Sequence, residues 1–135
     1  MTLLVDTSVW SLAFRRDAPP DVPEVAMLRR ALTGQEDVVT MGVIVVELLR
    51  GFPPSSARRL LAERFEPLPM LEPTRADYVA AAELSTTCRR AGVQLGTIDA
   101  IIAQAAIAHD VTLLTTDADF TNASAHIPLR VWPRG

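Results

Sequence analysis

The chain has 135 residues, 49% of them hydrophobic, and a formal net charge of −3. That length fits one domain burying about two thirds of its unfolded surface, and the apolar content excludes disorder. A single cysteine, Cys88, excludes an internal disulfide and a cysteine-rich zinc site, and the acidic balance argues against a generic nucleic-acid coat.

No run reaches the ~18 continuous apolar residues of a membrane span, and no basic-then-apolar leader opens the sequence, so a cytosolic location is expected. Cys88 reads as a small buried hydrophobe on a helix. All positive charge is arginine, because the sequence contains no lysine. Much of it falls in pairs: Arg15-Arg16, Arg29-Arg30, Arg58-Arg59 and Arg89-Arg90. Arginine forks suit phosphate geometry, although such pairs on helices are more often solvated faces.

In chain order, residues 2–6 read as a fully buried strand, with Thr7 or Ser8 capping a short helix that reaches about Arg15. Asp17 to Pro23 reads as a loop. A helix from about Val22 to Leu32 stops at Gly34, and Asp37 to Met41 makes a second strand. Gly42 to Gly51 carries β-branched residues at 43–46, but Glu47-Leu48-Leu49-Arg50 and the terminal glycine favour a helix. Residues 55–65 form an amphipathic helix, and Glu66 to Leu71 a short strand between prolines. Thr74 to Ala91 reads as a long helix ended by Gly92, and Thr97 as the cap of a helix from Ile98 to His109. A strand at 111–115 follows, then a polar turn at 117–124 and a last strand from Leu129 to Trp132. His109 would cap the carbonyls of its helix, and Trp10 and Trp132 would fill core or dimer surface. The alternation of strand and helix, without repeats or a linker, predicts one α/β domain (residues 1–135) with a mostly parallel sheet.

Four carboxylates stand where the local pattern calls for apolar or neutral residues. Asp6 ends the first strand, and Glu47 is the only acid between Val43 and Leu49. Asp99 opens a helix in which Gln104 is the only other polar residue before His109, and Asp117 follows the Leu113-Leu114 strand, with Asp119 two residues on. Singly, each has an ordinary explanation as a helix cap, a first-turn acid or a solvated side chain. Together they fall at the expected carboxyl ends of parallel strands, where open α/β sheets bind ligands. Two carboxylates ~4 Å apart repel by ~4 kcal/mol at an effective dielectric of 20. Either some protonate or a hard cation sits among them. Oxygen-only ligation points to Mg²⁺ or Mn²⁺, which suits phosphodiester hydrolysis.

In their order and spacing, LLVDTSVW (3–10), VVELLRG (45–51), TIDAIIAQAA (97–106) and LLTTDADF (113–120) resemble the PIN-domain ribonucleases, and among them the VapC-type toxins of bacterial toxin–antitoxin pairs. The resemblance implies a three-layer PIN-like fold, a five-stranded parallel sheet flanked by helices. It implies a Mg²⁺-dependent endoribonuclease, with Mn²⁺ as substitute, acting on RNA. It also implies a homodimer and a cognate VapB-type antitoxin. By this likeness Asp6 and Asp99 would be the principal metal ligands, Glu47 and Asp117 would complete the catalytic quartet, and Asp119 would be a variable fifth acid. Ser8 would help hold water or phosphate. Thr116 replaces the arginine or asparagine of many relatives, which weakens the expected phosphate contact beside Asp117.

Two other readings compete. Receiver domains and haloacid-dehalogenase-type phosphatases also gather aspartates around Mg²⁺, but both rely on a lysine that this chain lacks. The phosphatase pattern also wants Asp-x-Asp where the sequence has Asp6-Thr7-Ser8. A catalytically inactive PIN-like binding module would be marked by missing acids, and all four are present.

Overall fold

The computed structural model describes residues 1–14 and 21–133; the expected helix end at Arg15, the pair Arg15-Arg16 and most of the loop from Asp17 lie outside them. Three parallel strands form the centre: β1 (Thr2–Val5), β2 (Asp37–Val39) and β3 (Thr112–Leu114), in the order β2-β1-β3. Leu3 is in register with Val38 on one side and Thr112 on the other. Leu3, Leu4, Val5, Leu113 and Leu114 are fully buried, which explains why β1 and β3 read as continuous apolar runs.

Two further segments extend the sheet by single parallel bridges, Met70 beside Thr40 and Val131 beside Leu113. They occupy the positions of the expected outer strands at 66–71 and 129–132, shortened to one residue each. Proline accounts for the shortening. Pro67, Pro69 and Pro73, and Pro128 and Pro133, supply no N–H to a ladder, so pairing cannot run on.

Helices flank the sheet. α1 (Thr7–Ala13), α2 (Pro23–Arg30) and a widened π-helical turn (Ala31–Gln35) carry the chain from β1 to β2. Gly34, at φ +97, closes that turn, a conformation in which a side chain is strained. α3 (Gly42–Arg50), α4 (Ser56–Phe65), α5 (Arg75–Arg90) and α6 (Thr97–Ala108) lead to β3, and α7 (Ala118–Ala123) follows.

In α3 tertiary burial overrides β propensity. Ile44 and Leu48, one turn apart, are buried against the core and hold Val43–Val46 helical. α5 starts in a capping box, with Asp77 N–H donating to Thr74 Oγ1 at 3.2 Å and Thr74 N–H donating to Asp77 Oδ2 at 2.8 Å. It ends in a Schellman turn. Val93 N–H reaches Cys88 O at 2.8 Å, Gly92 N–H reaches Arg89 O at 3.0 Å, and Gly92 takes φ +78. Cys88 is fully buried on that helix, as expected. Trp10 is 1% exposed and packs against Phe14 and Phe65, so it belongs to the core.

Three sequence expectations need correction. Residues 117–124 are not a polar turn. Asp117 caps α7 and Phe120 and Ala123 anchor its buried side. The residue before α1 is Asp6 rather than Thr7 or Ser8, and it makes no side-chain cap bond because its carboxylate serves another network. The residue before α6 is Gly96, which places Thr97 inside the helix.

Candidate active site

β1 is central, and the chain leaves it toward β2 on one side while β3 lies on the other. That arrangement makes a topological switch point between β1 and β3, the place beyond the strands' carboxyl ends where open α/β sheets bind ligands. Asp6 follows β1, and its N–H donates to Leu114 O at 2.9 Å, so the sheet pairing itself fixes its backbone.

Its side chain is 5% exposed and held by two hydroxyls. Ser8 Oγ donates to Asp6 Oδ2 at 2.8 Å, and Thr115 Oγ1 donates to the same oxygen at 2.9 Å. Each hydroxyl in turn accepts a backbone N–H, Thr116 to Ser8 at 3.1 Å and Asp117 to Thr115 at 3.0 Å. Those accepted bonds point the hydroxyl protons toward Asp6. Thr115 was not legible as a site residue beforehand. Its signal was a hydroxyl directly after a buried strand, two residues before the acid.

Thr7 Oγ1 donates to Glu47 Oε1 at 3.1 Å and ties α3 to the start of α1. Ser8 therefore positions Asp6, its hydroxyl already engaged on both sides. Thr116 is exposed, with its backbone N–H taken by Ser8 and its side chain at the rim.

Asp99 lies in the first turn of α6. Asp117 is half-buried and accepts Asp119 N–H at 2.9 Å on Oδ1, so the capping role considered for it is real. One cap bond leaves its second oxygen uncommitted. One carboxylate oxygen from each of Asp99, Asp117 and Asp119 lies within 4.8 Å of the others. Asp6 and Glu47 fall outside that spacing, and Asp119 joins the group more closely than its ranking as a variable fifth acid implied.

Burial first, then the charges of Asp6, Asp117, Glu47 and Asp119, push the Asp99 carboxyl from an ordinary 3.8 up to about 6. All five acids thus share one electrostatic neighbourhood. Among the described residues the ion pairs are Met1–Glu36 and Arg130–Asp110, and neither involves these acids. A set of oxygen donors without nitrogen, sulfur or a paired cation fits a hard divalent ion.

A parallel-sheet α/β domain with carboxylates gathered beyond β1 and β3 is the class that these features define. The chain belongs to the PIN domain family, whose sequence profile matches residues 3–125. Its fold is similar to that of VapBC2 from Rickettsia felis bound to a promoter DNA fragment (20% identity, 97% of each chain, TM-score 0.74). It is also similar to FitAcB from Neisseria gonorrhoeae (22% identity, 96% of this chain and 95% of that one, TM-score 0.69). The sarcin–ricin-loop-cleaving toxin VapC20 of Mycobacterium tuberculosis shares it at 16% identity over 95% and 98% of the chains, with TM-score 0.64. No curated protein matches the chain in sequence. Among the described residues no helix is long and apolar enough to cross a membrane.

Proposed function

We propose that this chain is a divalent-metal-dependent endoribonuclease that serves as the toxin of a toxin–antitoxin pair. The observation that carries the reading is the crowding of carboxylates around Asp99 at the switch point of the sheet, without a basic partner among the described residues. Asp6, Glu47, Asp99 and Asp117, with Asp119, would hold Mg²⁺, or Mn²⁺ in its place. When bound, such an ion neutralises phosphate charge and lowers the pKa of water.

The chain's own groups divide the work. Ser8 and Thr115 hold Asp6 in one orientation, and Thr7 does the same for Glu47. Asp99, with its raised affinity for a proton, is the acid most relieved by a cation, and Thr116 offers a rim hydroxyl to phosphate. RNA is the substrate the family likeness suggests, and VapC20 is itself described by the RNA loop it cleaves.

The resemblance to VapC-type toxins, together with a fold like those of VapBC2 and FitAcB, supports a cognate VapB-type antitoxin for this chain. A basic residue of that partner, set among Asp6, Glu47, Asp99 and Asp117, would pair with the carboxylates and compete with Mg²⁺. A homodimer is the expected assembly and the cytoplasm the expected compartment. The test is expression of the chain alone and with its partner, beside a cleavage assay with Mg²⁺, Mn²⁺ or EDTA. Expected are growth arrest relieved by the partner and RNA cleavage abolished by EDTA. A harmless chain that leaves RNA intact in both cations overturns the reading.

A further inference from the structure

The arginine pairs are the sequence feature that the metal centre leaves unexplained, and one of them stands at the catalytic edge of the fold. α6 leads into β3, and Asp99 in its first turn meets Asp117 beyond the carboxyl end of that strand. The amino end of α6 therefore lies at the same edge as the acids. α5 packs along α6 and joins it through the short turn 91–96, so the last turn of α5, with Arg89 and Arg90, reaches that edge too.

Between the two helices lies a cleft of about 430 Å³ lined by Ser85, Arg89 and Thr97 and by residues 92–96 of the connecting turn. It runs into a second cleft of about 380 Å³ that shares Ser85, Arg89 and Thr97 and extends to Tyr78. Each volume is within the roughly 300–1,000 Å³ of ligand clefts. Their continuity fits an extended chain better than a single small anion.

The cleft is rigid where it matters. The Schellman turn at Gly92 closes α5, and Ser85 Oγ donates to Leu95 O at 2.9 Å, fastening the connecting turn to the helix. Arg89 is exposed, and among the described residues it makes no ion pair. Its guanidinium thus presents an uncommitted fork for phosphate. At the other end, the half-exposed Tyr78 offers a ring face to a base.

We propose that the α5–α6 cleft, centred on Arg89, binds the backbone of the single-stranded RNA flanking the scissile bond and sets its register against the acids. This rests on the ribonuclease reading above. Arg89 is a positioning residue and takes no part in bond cleavage. An acidic segment of a partner protein is the rival occupant; it would meet Arg89 but bring no base to the Tyr78 ring at the other end of the clefts.

The test uses the full chain and a single-stranded RNA that it cleaves. Arg89→Ala and Arg89→Gln are compared with Arg59→Ala on α4, which serves as the control for a loss of surface charge. For the Arg89 variants KM should rise about tenfold with kcat nearly unchanged, whereas Arg59→Ala should shift KM less than twofold. In an Asp99→Asn background, removing Arg89 should weaken RNA binding and lower the slope of log affinity against log salt by about 0.7, the loss of one single-strand phosphate contact. Equal melting temperatures exclude a folding defect.

Unchanged KM and salt slope in an actively cleaving Arg89→Ala overturn the subsite and leave the nuclease reading intact. A chain that cleaves nothing, yet loses RNA affinity with Arg89, overturns the nuclease reading and keeps the subsite. Loss of antitoxin affinity with RNA affinity unchanged assigns the cleft to the partner and overturns the proposal.

Discussion

Asp6 and Asp99 share one electrostatic neighbourhood under opposite physical conditions. Asp6 is buried to 5% exposure, and its Oδ2 receives two hydroxyl protons, so its surroundings are built for a carboxylate. Asp99 is half-buried beside four other acids, and burial first, then their charges, push its carboxyl to about 6. One site is satisfied by the protein alone; the other is left in want of positive charge. The contrast shows how a fold can be stable before its ligand arrives and still keep free energy of binding in reserve. The hydroxyl network orders the geometry, and the crowding supplies the attraction for a cation.

The largest expected effect treats the two acids alike. Asp6→Asn and Asp99→Asn should each lower RNA cleavage at saturating Mg²⁺ by at least about a hundredfold, the equivalent of several kcal/mol of charge stabilisation. Turnover within a few-fold of the parent in either variant would remove that residue from the site.

Stability should then separate them. Asp6→Ala strips the acceptor from two oriented hydroxyls and should destabilise the fold by about 1–3 kcal/mol in urea. Asp99→Asn in EDTA at neutral pH should stabilise it by roughly 1–2 kcal/mol, allowing for solvent screening at a half-buried group. Equal signs for the two variants would show that the acids do not differ as described.

The pH dependence sharpens the same point. A carboxyl with a folded pKa near 6 and an unfolded value near 3.9 binds its proton more tightly in the folded chain. Its contribution is fully present below about pH 4 and lost as pH rises through about 6. In EDTA, the loss of stability over that window should be shallower in Asp99→Asn than in the parent. A saturating divalent ion should offset it, raising Tm in the parent and much less in the variant. Parallel urea curves for the two chains across pH 4–7 would count against the crowding.

The smallest effect concerns the network's second ring. Thr115→Val removes one bond to Asp6 and leaves the Asp117 N–H without its acceptor, at a cost of about 1 kcal/mol. Cleavage should fall more than stability, because Asp6 and Asp117, two carboxylates of the acidic cluster, lose their orientation together. Cleavage unaltered in Thr115→Val would mean that the network supports the fold only.

Much of the site was legible because it is local. A buried strand ending in an acid, as at Leu3–Asp6, or an acid at the head of an apolar helix, as at Asp99, is written in a few consecutive residues. Strand–helix alternation then places such acids at one edge of a parallel sheet. The helical state of 42–50 was also readable, since Glu47–Arg50 and Gly51 outweighed the β-branched run before them.

Other features depended on neighbours far apart in sequence. Thr115 becomes a partner of Asp6 only because Val5 and Leu114 fall in register, 109 residues apart for Asp6 and Thr115. α7 reads as polar loop until Phe120 finds the core and Asp117 caps it. The tightest acid group, Asp99 with Asp117 and Asp119, joins the start of one helix to the start of another. Sequence by itself determined where acids, strands and helices lie, because propensity, burial pattern and capping act over a turn or a strand. Tertiary structure alone decided which acids crowd and which are satisfied, because Coulomb repulsion and hydrogen bonding depend on distances of a few ångströms that only chain packing sets.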